Sequence, residues 1–219
     1  MPVEEEEAEP AAADPPRGEA VASPTAVGDP PDATRGLTGG TALWILMTVE
    51  VATFGMFFLW FASSWHGHVE VYAASQAQLD VRSGFVGTVL LLAGSWLAYE
   101  GVLAHEDERN GTTARSFLAA SAVGCLFTVN KLAEYAAHAG HGVSLSTNGF
   151  WFAYLFLTGL HLLHVLAGVV ALAVLGFRAL RGAGLGREDT LSVEATAGYW
   201  HLVDVIWLFL FPLLYLVQP

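Results

Sequence analysis

Residues 150–177 read FWFAYLFLTGLHLLHVLAGVVALAVLGF, without one Asp, Glu, Lys or Arg. A helix of about 20 mostly apolar residues crosses the hydrocarbon core of a bilayer, so this run is long enough to span one. Four more runs of the same kind lie on either side of it, approximately Leu43 to Ser64, Phe85 to Leu103, Phe117 to Ala137 and Gly198 to Val217, separated by short polar breaks. A membrane β-barrel would show segments of about ten residues alternating apolar and polar. These runs are continuously apolar and rich in Leu, Ala and Phe, so the fold class is all-α: an integral membrane bundle of five transmembrane helices. Composition agrees, because 54% of the 219 residues are hydrophobic, 14% are charged and the mean hydropathy is positive. That is too apolar for a soluble domain of this length.

The formal net charge is −12, but nine of the 21 acidic residues precede residue 33. The acidity belongs mainly to a tail that combines Glu4, Glu5, Glu6 and Glu7 with Pro10, Pro15, Pro16, Pro24, Pro30 and Pro31 and has almost no large apolar residue. Such a segment cannot bury enough surface to offset its ordering entropy. The expected organisation is therefore a disordered, cytoplasmic, acidic and Pro-rich tail over 1–38, followed by a five-helix membrane domain over 39–219. The tail lacks a basic start and an apolar stretch, so it does not read as a cleavable signal peptide. No nucleic-acid partner is expected.

Basic residues flanking the spans set orientation. Arg17, Arg35, Arg109, Arg115, Arg178, Arg181 and Arg187 share one face, and only Arg82 lies on the other. The expected topology is a multi-pass protein of the cell membrane, with its N-terminus in the cytoplasm and its C-terminus outside.

Ionisable groups at helix centres cost about 2.5–3.5 kcal/mol each on insertion scales, so those present need a partner or a task. Glu50 lies near the middle of the first span, His161 and His164 near the middle of the fourth, and Asp204 inside the fifth. Lys131 and Glu134, three residues apart, share a helical face and are placed to form an ion pair. His201 with Asp204, and His161 with His164, have the same spacing. All these groups are expected to face the bundle interior. Glu50 and Asp204 each admit two readings: a hydrogen-bonding carboxylic acid within the bundle, which is favoured, or a group engaged in proton movement.

A bis-histidine haem needs imidazoles from facing helices at similar depth. His201 lies closer to the membrane boundary than His161 and His164, which counts against that site. His66, His68, His138 and His141 fall in what read as outer loops. Cys125, the sole cysteine, excludes an intramolecular disulfide and c-type haem attachment and reads as a small packing residue. No metal or cofactor is expected on this chain. Trp44, Trp65, Trp151 and Trp200 fall near span ends, where amphipathic rings prefer to sit. Gly94 with Ala98, and Ala120 with Gly124, allow close helix approach.

Four strings then carry a resemblance: Trp44-Ile45-Leu46 through Glu50 to Phe54, Phe57 and Phe58; Glu134-Tyr135 after Phe127; Thr158-Gly159-Leu160-His161-Leu162-Leu163-His164-Val165-Leu166-Ala167-Gly168; and Tyr199-Trp200-His201-Leu202-Val203-Asp204-Val205-Ile206-Trp207. In this order they resemble motifs of the haem-copper oxidase (cytochrome c oxidase) subunit III family, over about residues 40 to 217. Full-length members have seven helices, and the five here resemble the last five. Lys131 stands where the long form commonly has Gln, and Lys-x-x-Glu-Tyr is more similar to short, NorE-type accessory proteins of nitric oxide reductases.

The resemblance implies a subunit that is not catalytic by itself and supports assembly and stability of a redox-active partner in aerobic respiratory electron transport. That partner would be the catalytic subunit I of a haem-copper oxidase or a nitric oxide reductase. Haem and copper are expected in the partner, and membrane lipids, phospholipid among them, are the other expected contacts. Glu50, Lys131, Glu134, Tyr135, His161, His164, Trp200, His201 and Asp204 are the candidate residues of a polar core stabilising that interface. Two rivals remain: a haem-binding electron carrier using His161 or His164 with His201, and a small transporter using Glu50 and Asp204.

Overall fold

The computed structural model describes residues 40–181 and 184–217, so the tail expected to be disordered over 1–38 lies outside the described residues. The described residues form six α-helices and no strand: α1 (Gly40–Gly67), α2 (Val69–Gln76), α3 (Val81–Glu106), α4 (Asn110–Gly140), α5 (Gly149–Leu180) and α6 (Thr190–Phe211). A π-turn over Pro212–Leu216 continues α6. The five expected spans are present as α1, α3, α4, α5 and α6, each long and apolar enough to cross a membrane. Helix α4 begins well before Phe117 and α6 well before Gly198, because segments such as Thr190-Leu-Ser-Val-Glu-Ala-Thr-Ala keep helical hydrogen bonding where hydropathy has already fallen.

Helices α3, α4, α5 and α6 close a four-helix ring in which α3 packs on α4 and α6, and α5 packs on the same two. The pattern that drives this is a repeat of three and four. On α3 the buried positions include Gly84, Gly87, Leu91, Gly94, Ala98 and Gly101, and on α4 Thr113, Phe117, Ala120, Gly124, Phe127, Lys131 and Glu134. Such spacing keeps one stripe turned toward a neighbour over many turns. The stripe of α3 is nearly all glycine and alanine, and aromatic rings of its neighbours fill the space: a Cβ on Gly101 would stand 2.8 Å from Phe117, and one on Gly87 3.1 Å from Phe127. Lipid tails are as apolar as Leu, so close packing of this kind, not apolar burial, favours association within a membrane.

Helix α1 lies outside the ring against α6 and α5. Leu43, Phe54 and Phe61 are buried, while many of its other apolar side chains face outward, Leu59 with 75% exposure, which costs nothing in hydrocarbon. The short α2, which hydropathy could not reveal, ties one end of the bundle together. Its Tyr72 is buried among Phe61, Trp65 and Phe150, and Gln76 Nε2 donates to the Leu214 carbonyl of the π-turn at 3.1 Å. Asn148 caps α5 by accepting from Trp151 N–H at 3.0 Å, while its Nδ2 donates to Ser75 Oγ of α2 at 3.0 Å. Asn148→Ala removes both bonds and is expected to cost about 1–2 kcal/mol, read as a lower denaturation midpoint in detergent. Asn148→Asp, which keeps the cap acceptor, should lose less.

Three expectations about packing residues are corrected. Trp151 and Trp200 are not interface anchors but core residues, at 1% and 0% exposure: Trp151 packs on His138 and Tyr154, and Trp200 lies well inside α6, which begins at Thr190. Cys125 is exposed on the outer face of α4 and packs no interior gap. His66 and His138 are not loop residues; they belong to the last turns of α1 and α4.

Candidate functional site

At the α2 end of the bundle, Lys131 and Glu134 of α4 meet Ser83 at the start of α3, Tyr154 near the start of α5 and Tyr215 in the π-turn. Lys131 is 1% exposed and Glu134 7%. The Lys131 Nζ donates to Glu134 Oε2 at 2.9 Å and to Tyr215 Oη at 2.7 Å, and it lies 4.6 Å from the centre of the Trp207 ring. Glu134 Oε1 accepts from Tyr154 Oη and Tyr215 Oη, each at 2.7 Å, and Oε2 also accepts from Ser83 Oγ at 3.0 Å. Asn130 Nδ2 donates to the Ser83 carbonyl at 3.1 Å, which fixes that corner. The carboxylate thus accepts four bonds, and the ammonium is spread over an oxygen of opposite charge, a phenol and an aromatic face. A buried ion pair is tolerable in low dielectric only when its remaining donors and acceptors are satisfied in this way.

Local sequence explains the convergence. The three-residue step from Lys131 to Glu134 continues the inward stripe of α4, so both point to the ring centre. Tyr215 arrives through the π-turn that starts at Pro212, where the wider turn, closed by Val217 N–H to the Pro212 carbonyl at 3.0 Å, turns the phenol inward. Next door, Tyr135 Oη donates to Thr158 Oγ1 at 2.7 Å, and Thr158 Oγ1 donates to the Tyr154 carbonyl at 2.6 Å. The Glu134-Tyr135 and Thr158-Gly159 strings, distant in sequence, thereby join α4 to α5.

Of the remaining candidates, His161 adjoins this cluster through Trp207, whose ring also faces Lys131, and the others lie farther away. Glu50 Oε2 is 3.2 Å from His164 Nε2, pairing α1 with α5, and His164 Nδ1 donates to its own helix at the Leu160 carbonyl, 2.8 Å away. His164 sits ten residues beyond Tyr154, about 15 Å along α5. Tyr199 Oη reaches the His164 carbonyl at 3.2 Å. His161 is buried with its ring stacked on Trp207 at 5.2 Å and edge-on to Phe127 at 5.9 Å. Asp204 is buried with Ser95 the polar side chain beside it, and His201 is half-buried on α6. Of the polar core expected of Glu50, Lys131, Glu134, Tyr135, His161, His164, Trp200, His201 and Asp204, the structure joins Lys131 to Glu134, places His161 on the Trp207 ring that also faces Lys131, and pairs Glu50 with His164 farther along α5. A three-residue step rotates a helical side chain by about 60°, enough to turn His161 to the ring centre and His164 to α1.

Both ring nitrogens of His164 are engaged, and aromatic rings pack against His161 on two sides. Among the described residues no cluster of three or more His, Cys, Asp or Glu side chains is arranged to hold a metal ion. Tyr154, Tyr215, Ser83 and Asn130 went unread in the sequence. The only signal for the two tyrosines was a phenol near the end of an apolar run, which equally suits a membrane-interface ring.

Ring and cluster together define a helical membrane subunit whose buried polar groups cross-link helices. The chain belongs to the cytochrome c oxidase subunit III family, whose model matches residues 23–218. It is 30% identical to the "Heme-copper oxidase subunit I+III" of Aeropyrum pernix across 81% of its own length, and 33% identical to "Cytochrome c oxidase subunit 3" of Synechocystis sp. across 64%. It spans 22% of the first relative and 59% of the second. It is also 29% identical to "Cytochrome c oxidase subunit 3" of Corynebacterium diphtheriae, covering 80% of its own length and 85% of that relative.

Proposed function

We propose that the chain is the non-catalytic third subunit of a haem-copper terminal oxidase in aerobic respiration, packed beside the subunit that carries haem and copper. One observation carries this reading. Lys131 and Glu134, which bear the greatest cost of burial, are bound into a closed set of hydrogen bonds joining α3, α4, α5 and the π-turn, with no acceptor left on the carboxylate for a substrate. Such a set makes a rigid scaffold. Oxygen reduction belongs to the partner, and this chain supports its assembly and stability, with the N-terminus in the cytoplasm. The Aeropyrum pernix relative, named as subunits I and III in one polypeptide, supports a lasting association of the two.

Purification from native membranes through a tag on this chain is expected to recover a haem-containing partner with oxygen-consuming activity. A colourless lone chain would end the proposal. A second reading, an accessory subunit of a nitric oxide reductase, is favoured by Lys131 alone, and a recovered partner that consumes nitric oxide in place of oxygen would select it.

A further inference from the structure

The packing of α3 on α6 repeats after seven residues: Gly87 and Thr88 of α3 recur as Gly94 and Ser95, and on the antiparallel α6 Trp207 has its counterpart in Trp200. Both indoles turn the same edge to α3. A Cβ on Gly87 would stand 3.6 Å from Cζ2 of Trp207, and one on Gly94 3.0 Å from Cζ2 and 3.3 Å from Nε1 of Trp200. In the first layer this edge is satisfied, because Trp207 Nε1 donates to Thr88 Oγ1 at 3.0 Å, and that hydroxyl donates to the Gly84 carbonyl, also at 3.0 Å. In the second layer Trp200 Nε1 and Ser95 Oγ are both sealed from solvent, and neither has a hydrogen-bond partner among the described residues. The Ser95 hydroxyl is not bonded back to its own helix as those of Thr88 and Thr128 are. Asp204, one turn beyond Trp200 on the same face of α6, lies beside Ser95, and its Oδ1 is sealed and unpartnered as well.

Three buried polar atoms on facing turns of two helices thus share one unmet need, and protein interiors meet such a need with ordered water where no side chain reaches. We propose that Trp200, Ser95 and Asp204 bind a single water molecule between α3 and α6, which does in the second layer what the Thr88 hydroxyl does in the first. The group held there has to accept the indole proton and donate to the carboxyl at once, since an indole N–H can only donate and a carboxyl offers an acceptor in either protonation state. Water does both and keeps a hydrogen or a lone pair for Ser95 Oγ, which makes three bonds, the usual number for a buried water. A metal cation offers the indole nothing to bond to, and an anion brings no hydrogen for the carboxyl. Serine also lacks the methyl that threonine carries in the first layer, which frees space for the water oxygen. The water cross-links α3 to α6 within the hydrocarbon core, where lipid tails supply no such bonds.

The test is a density map of the full chain, crystallised from lipid, at a resolution that shows ordered water. One peak is expected at about 2.7–3.2 Å from Trp200 Nε1, Ser95 Oγ and a carboxyl oxygen of Asp204, and none between Trp207 and Thr88. Ser95→Thr should rebuild the first layer in the second, losing the peak and closing a direct bond from Trp200 Nε1 to the new hydroxyl. Asp204→Asn, whose side-chain carbonyl still accepts, should keep the peak. In solution, the indole N–H resonance of Trp200 should lie downfield with that of Trp207 and move upfield in Ser95→Val, which puts a methyl where the water sits and supplies no acceptor. No peak at the three atoms, a direct Ser95–Trp200 bond in the unaltered chain, or a Trp200 resonance unmoved by Ser95→Val would overturn the proposal. Should Ser95→Val fail to fold, the map of the unaltered chain and that of Asp204→Asn still decide.

Discussion

Lys131→Met is expected to destabilise the detergent-solubilised chain by about 3–5 kcal/mol, a large share of the stability of any domain. Methionine fills much of the lysine's volume, so the loss comes from electrostatics, not from a cavity. Glu134 keeps its bonds from Tyr154, Tyr215 and Ser83 but loses the charge opposite it, 2.9 Å away. Tyr215 loses the donor that oriented its oxygen, which loosens the π-turn. Glu134→Gln leaves the converse defect, a buried ammonium, and should cost a similar amount. The double variant is expected to recover much of the loss, because a neutral pair of similar shape replaces an ion pair without stranding a charge. Unfolding midpoints for the four proteins measure this, and midpoints that coincide would show that the cluster adds nothing to the fold. Added salt should change the effect little, since the pair is almost wholly buried.

Trp200→Ala should be comparably severe, about 3–5 kcal/mol. The indole is fully buried, and three helices each present a glycine to it: a Cβ on Gly94, Gly124 or Gly168 would stand 3.0, 2.7 or 2.8 Å from its ring. Truncation leaves a slot that backbones already in close packing cannot collapse to fill. The complementary change, Gly124→Val, forces the ring and Val169 apart and should cost about 1–3 kcal/mol. Pairing Gly124→Ala with Trp200→Phe should cost less than the sum of its parts, because the smaller ring vacates space for the added methyl. Additive losses would show that ring and glycine do not share that space.

The spans and the Lys131–Glu134 face were readable because each depends on neighbours along one helix. Hydropathy over about 20 residues marks what a bilayer accepts, and a three-residue step marks a shared face whatever lies opposite. The role of Trp200 was not readable in this way. Its distance from the end of the apolar run suggested an interface ring, yet three glycines on three other helices give it a slot in the core. The division between His161 and His164 was hidden for the same reason: only the positions of Trp207 and Glu50 determine which of the two turns inward and which pairs outward.

Local chemistry along the chain settled the membrane fold, its five crossings and the presence of charges that need partners. The choice of partners waited on assembly. Tyr215 meets Glu134 across 81 positions of sequence, and does so only because a π-turn after Pro212 redirects one phenol and α2 holds that turn in place through Gln76. The need of a buried carboxylate for donors is a property of its residue type. The identity of those donors is a property of helices packed side by side, and no spacing within a single helix encodes it.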